Sequence, residues 1–128
     1  IQTAKACAAQ PEVATDLKKL MVVSTGEDVA AQISAINTFI EPSYDAIIVN
    51  AQNPQAFTPV IKRAKQASVV LAAFDNTLDP KNAIDVNVDQ TGIGTLSADW
   101  LIDHIANGGK VSEVRGVIGT SVNTDRHN

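Results

Sequence analysis

Val69-Val70-Leu71-Ala72-Ala73-Phe74-Asp75-Asn76 is the stretch on which the fold turns. An unbroken apolar run from Val69 to Phe74 stops abruptly at a carboxylate and an amide. Such a short run, rich in β-branched residues, predicts a strand covered on both faces, as in parallel sheets flanked by helices. Just upstream, Phe57, Val60, Ile61 and Ala64 recur at helical spacing behind Asn53-Pro54. There Asn reads as the cap and Pro as the first helical residue. Ala46-Ile47-Ile48-Val49 is a second buried strand. Val29, Ile33, Ile36 and Ile40 mark a second helix, with Asp28 as its N-cap and Glu41-Pro42 as its stop. Before it, Lys19-Leu20-Met21-Val22-Val23 reads as a short strand closed by Ser24-Thr25-Gly26, and residues 1 to about 10 read as a helix with Ile1, Ala4 and Ala8 on one face.

Downstream, a loop from Thr77 to Asn82 has Asp79-Pro80 as its turn signal. Ile84, Val86 and Val88 alternate with polar residues, so this strand has one wet side. A long helix follows from about Gln90 to Asn107, with Ile93, Leu96, Trp100 (or Leu101) and Ile105 as its buried stripe and Gly108-Gly109 as its stop. Val111 to Ile118 reads as the last strand, and Gly119 to Asn128 as a polar loop. Strands alternating with helices imply right-handed crossovers, hence an α/β fold with a doubly wound parallel sheet. Both ends read as cut through a repeating unit.

Composition narrows the function classes. A chain of 128 residues is about one domain's length. Aromatic residues are only 4% of it, so Ala, Val and Ile build the core. The net charge of −4 and a pI near 4.9 give no reason to expect nucleic acid or anionic lipid as partner. Lys18-Lys19 and Lys62-Arg63 are too small to form a basic patch. The run from Val69 to Phe74 is far too short to span a bilayer, so no membrane insertion is expected. The single cysteine, Cys7, allows no internal disulfide and stands in no metal-ligand spacing. It reads as a small apolar residue on a helix face. No metal and no cofactor are expected.

In open α/β sheets, ligands bind beyond the carboxyl ends of the strands. Those ends are Ser24-Thr25, Asn50-Ala51-Gln52-Asn53, Asp75-Asn76 and Gly119 to Arg126. Hydroxyls, amides, a carboxylate and a guanidinium suit a neutral polyol, because carboxylates and planar forks can each hold two adjacent hydroxyls. Asp75 reads either as a ligand contact or as the cap of an Asx-turn. Asn76 stands beside it with the same two readings. Arg126, in a polar terminal loop beside Asp125, reads by itself as surface. Gly92-Ile93-Gly94 follows a strand and opens a helix, yet Ser97 stands where a dinucleotide loop needs its third glycine. Gly116 to Ser121 has no lysine after its second glycine and is no phosphate loop. His104 and His127 read as solvated surface, and Trp100 as core. Neither a nucleophile–base pair nor a phosphate loop is present, so the chain does not read as an enzyme.

Taken together in order and spacing, four stretches give the chain from about Leu20 a likeness to a known family. They are Tyr44 to Asn50 with Asn53-Pro54 and Ile61-Lys62-Arg63-Ala64; Val69 to Asn76; Val86-Asn87-Val88-Asp89-Gln90 leading into a glycine-containing helix; and Gly109-Lys110-Val111 through Arg115-Gly116 to Gly119-Thr120-Ser121 and Asp125-Arg126. The chain resembles the periplasmic ribose/galactose-type solute-binding proteins of sugar ABC transporters, whose type 1 periplasmic binding fold is shared by the effector domains of lactose-repressor-type regulators. The resemblance implies a two-lobed protein that closes on a monosaccharide and works with a membrane permease. Residues 1–88 would be the N-terminal lobe without its first strand and 89–128 the start of the C-terminal lobe, crossing near Val88-Asp89-Gln90. Asp75 matches the sugar ligand of the first lobe, with Asn76 its neighbour where some members carry Arg. Arg126 matches the sugar-binding Arg of the second lobe, and Asn123 lies in the same loop. The alternative is a sugar-sensing effector domain, which would need a DNA-binding segment upstream. With most of the second lobe beyond Asn128, weak or undetectable sugar binding is expected of this chain alone.

Overall fold

The computed structural model describes residues 2–42, 44–78, 81–106 and 108–128. Ile1, the turn residues Asp79 and Pro80, and the expected helix end at Asn107 lie outside them. Helices α1 (Gln2–Ala8) and α2 (Pro11–Ala14) lead to α3 (Val29–Ile40), strand β1 (Ala46–Val49), a 3-10 turn (Pro54–Phe57), α4 (Thr58–Gln66), β2 (Val70–Phe74), β3 (Ile84–Val86), α5 (Gln90–His104) and α6 (Ser121–His127). The three strands form one sheet in the order β1-β2-β3, parallel throughout. The parallel sheet with flanking helices is the architecture that the sequence predicts.

α3, α5 and the 3-10 turn that leads into α4 each begin where a side chain satisfies a free backbone N–H. Asp28 accepts from the Ala31 amide at 3.0 Å, Asn53 from Gln55 at 3.2 Å, and Asp89 from Gly92 at 2.8 Å. α3 buries Gln32, Ile36 and Ile40, spaced one turn apart, and α4 buries Val60, Ile61 and Ala64. With Ile47, Leu71 and Ala73 of the sheet, these residues close the core around Phe57. Asp28→Ala should cost about 1 kcal/mol of stability. Asp28→Asn should cost far less, since the amide oxygen can still accept. Urea unfolding of the two variants checks this, and equal losses would remove the capping account.

Several expectations give way. Residues 19–23 form no strand, and neither do residues 111–118. Both have an apolar strand pattern, but a strand is defined by its ladder, and no described segment pairs with either. Val114 is 94% exposed accordingly. Val70 and Phe74 are about half exposed and Ile48 is 71% exposed, so the second face of the sheet is not covered as the continuous apolarity of β2 predicts. The predicted stripe of α5 also fails. Leu96 is 71% and Trp100 60% exposed, while Gln90 is the buried residue of the helix. The reason is the partner: α5 packs on α6, through the face that carries Gln90 and Gly94. Gly119 to Asn128 is not a loop. Thr120 accepts from the Asn123 amide at 3.3 Å and starts α6. The weak helix formers of α6 hide it from propensity, and the cap and its packing on α5 hold it.

Candidate functional site

The loop after β1 is anchored from α3. The Gln32 amide donates to the Asn50 carbonyl at 2.8 Å, and its oxygen accepts from the Gln52 amide at 3.1 Å. Gln32 is a buried amide whose two ends both find backbone partners, so this turn is held firmly. It presents Asn50 at the carboxyl edge of the sheet.

Beside it, β2 ends at Asp75. The Asp75 amide still donates to the Val86 carbonyl of β3 at 3.1 Å, but its φ is +63°, in the left-handed region. Aspartate tolerates that region better than most residues, because its short polar side chain is accommodated there. The turn of the backbone leaves the Asp75 side chain exposed, and its carboxylate accepts from no described residue. The Asx-turn reading of Asp75 therefore has no hydrogen bond behind it. Asn76 goes the other way. It is buried; its Nδ2 donates to Asn50 Oδ1 at 2.8 Å and its Oδ1 accepts from the Val122 amide at 3.4 Å. Next to it, the Thr77 amide donates to the Ser121 hydroxyl at 2.9 Å. The start of α6 is thus tied to the ends of β1 and β2.

Those ties border an open cavity of about 380 Å³ between the strand ends and residues 113–126, within the range usual for small-ligand sites. Asp75, Asn76, Asn123 and Arg126 all line it. Residues far apart in the chain are brought to one space, which the local pattern around Arg126 does not show and only the family resemblance implies. Glu27, Asn50, Gln52, Glu113 and Arg115 join them. The lining therefore holds three carboxylates, two guanidinium groups, amides and the Thr120 hydroxyl. Such a mixture of donors and acceptors is suited to grip hydroxyls by charge-assisted hydrogen bonds, while Val114, Val117 and Val122 give the lining an apolar side as well.

Arg126 is joined by hydrogen bonds to α5 and, through Gln90, to the segment before it. Its Nε donates to Gln90 Oε1 at 2.7 Å, and Gln90 Nε2 donates to Asn87 Oδ1 at 3.0 Å. At the rim, His127 Nδ1 lies 3.0 Å from Glu113. Trp100 and His104 stack at 4.1 Å on the exposed face of α5 and do not line the cavity. No group of His, Cys, Asp or Glu among the described residues is arranged to hold a metal ion, and Cys7 is exposed on α1.

Sequence reading missed Glu27, Glu113, Arg115 and Gln90. Glu27 had a signal: it stands just past the closure at Gly26, whose φ of +59° turns the chain. Glu113 and Arg115 are hidden inside an apparent strand. Gln90 carries no local sign, because a buried amide is recognised only through its partners.

The model of the family described as periplasmic binding protein domain matches residues 2–128. The chain is 33% identical over 101 residues to the galactofuranose-binding protein YtfQ of Escherichia coli (strain K12), covering 74% of this chain and 31% of that protein. It is 26% identical over 109 residues to the ribose import binding protein RbsB of Bacillus subtilis (strain 168), covering 84% of this chain and 36% of that protein. Among solved structures, the periplasmic binding component of the arabinose ABC transporter from Shewanella sp. ANA-3, bound to α- and β-L-arabinofuranose, superposes with a TM-score of 0.83 at 26% identity. That match covers 98% of this chain and 41% of the other. The chain thus spans about a third of the length of the curated relatives that it matches.

Proposed function

The chain belongs to the periplasmic binding protein domain family, one of non-enzymatic binding proteins, and from that premise we propose that it is part of the solute-binding component of an ABC sugar importer. Its ligand is a monosaccharide, held in the cavity between the strand ends and the segment from Glu113 to Arg126. In this reading residues 1–88 belong to the first lobe and 89–128 begin the second. The protein works in the periplasm and delivers its ligand to a membrane permease. Among the described residues no helix is long and apolar enough to cross a membrane.

The observation that carries the reading is the shared cavity of Asp75 and Arg126. Asp75 supplies an unspent carboxylate, which accepts from two neighbouring hydroxyls. Arg126 is a fork that donates to sugar oxygens from the other side, and Asn123 adds an amide. Asn76 contributes chiefly by fixing Asn50 and the start of α6. The relatives named for galactofuranose and ribose, and the neighbour holding arabinofuranose, support a pentose or hexose as the ligand.

The test is a nuclear magnetic resonance titration of the chain with D-ribose, D-galactose and L-arabinose into the millimolar range. At least one sugar is expected to shift the signals of Asp75, Asn123 and Arg126 with weak affinity, and to leave α1 and α4 unchanged. Sugar-dependent shifts that spare the cavity and fall on α1 or α4 instead would remove the reading. Micromolar affinity by calorimetry would contradict the weak binding expected of this chain alone.

A further inference from the structure

The pair Gly92 and Gly94 is left over from the nucleotide reading, and Gln90 is a buried polar side chain on the same helix that no binding role yet uses. We propose that Gln90 and Gly94 together form a seat on α5 that positions Arg126, so that the presentation of the guanidinium to the cavity is set from α5. The inference rests on the sugar-cavity reading for its functional meaning, but its geometry stands apart from the ligand.

Residues 90 and 94 are one helical turn apart and face the same way. At 94, a Cβ would collide with the Arg126 carbonyl oxygen, so only glycine lets the backbone of α6 approach α5 this closely. At 90, the side chain is 3% exposed, and its oxygen accepts from Arg126 Nε at 2.7 Å. The other end of Gln90 donates to Asn87 Oδ1, which also accepts from the Val88 amide at 2.8 Å. Gln90 is therefore held in one orientation by a side chain that is itself tied to the backbone. The carbonyl of Arg126 rests on Gly94 and its Nε on Gln90, so both ends of the residue are located. An arginine has five N–H donors. One is spent on Gln90, and the two terminal amino groups donate to no described residue and are left for a ligand. A guanidinium restrained at Nε loses less freedom when it binds, which is the source of the gain.

The experiment is side-chain nitrogen-15 spectroscopy of the 128-residue chain, reading solvent exchange of each arginine Nε–H. Arg126→Lys identifies its signal. In the unsubstituted chain, Arg126 Nε–H is expected to exchange at least about tenfold more slowly than that of Arg115, because a buried acceptor holds it. Gln90→Leu brings it to the Arg115 rate, and Gln90→Glu keeps it slow, since a carboxylate oxygen accepts from the same donor. A merely structural role for Gln90 would not give this rescue. If Gln90→Leu does not fold, Gly94→Ala carries the test: it should speed exchange at Arg126 while Gln90 is intact. Protection that survives Gln90→Leu or Gly94→Ala, or that Gln90→Glu fails to retain, overturns the assignment. L-Arabinose titration of the same samples should show affinity about tenfold weaker in Gln90→Leu than in Gln90→Glu. Equal affinities in the two overturn it as well. If L-arabinose shifts nothing even in the unsubstituted chain, the sugar reading falls for that ligand, and the exchange rates alone decide the seat.

Discussion

Phe57→Ala should remove most of the stability of the chain. Phe57 is fully buried, the largest side chain in the core to be so. It stands at the end of the 3-10 turn that Asn53 caps, between the loop after β1 and the start of α4. Deleting a buried ring loses its transfer energy and leaves a cavity that the neighbours fill only in part, about 3–5 kcal/mol together. Domains have only about 5–15 kcal/mol in hand. The urea midpoint should therefore fall by roughly 2 M, taking a slope typical of small proteins. Phe57→Leu refills most of the volume and should cost about 1–2 kcal/mol. Leu96→Ala is the control. Leu96 is just as apolar but 71% exposed, so its loss should stay within about 0.5 kcal/mol. Far-UV circular dichroism is the suitable probe, because the single tryptophan, Trp100, is 60% exposed and senses little of the core. A Phe57→Ala midpoint no lower than that of Leu96→Ala would mean that the core is not where the burial places it.

The contrast between Phe57 and Leu96 also marks how far sequence reading reaches. Both belong to apolar helical patterns, and both are predicted to be buried. For α3 and α4 the pattern is answered by β1 and β2, which lie next to them in the chain, so local periodicity and local packing agree. For α5 the partner is α6, which is itself misread as a loop, and the contact runs through a polar residue and a glycine. Residues 19–23 and 111–118 repeat the lesson for strands: the apolar run is visible, but the ladder partner is a property of the whole sheet. At the site, Asp75 could be picked out because an apolar strand ends directly on it. Arg126 could be picked out only by resemblance, and Gln90 not at all, since its meaning lies in hydrogen bonds to residues elsewhere in the chain.

Asp75→Asn should weaken the proposed monosaccharide binding by about 10- to 100-fold while leaving the fold intact. The prediction separates two properties that coincide at this residue. Its backbone occupies the left-handed region with φ of +63°, where asparagine is tolerated as well as aspartate. Its carboxylate accepts from no described residue, so no internal hydrogen bond is lost by the change. What is lost is the charge, and hydrogen bonds to a charged group are worth about 1.5–3 kcal/mol each, against about 1 for a neutral pair. The amide also replaces one acceptor oxygen with a donor, which faces hydroxyls in the wrong sense unless they rotate. Asp75→Ala removes the carboxylate too, but adds backbone strain of about 1 kcal/mol or more, since alanine occupies the left-handed region less readily than aspartate or asparagine. Asp75→Gly relieves that strain. The three variants should thus lose affinity to a similar degree but split in stability, with Ala below both Asn and Gly. Affinity is read by titration with L-arabinose and stability by urea unfolding. If Asp75→Gly bound sugar as well as the unsubstituted chain, the carboxylate would not be a ligand, and the left-handed turn alone would account for the aspartate at the end of β2.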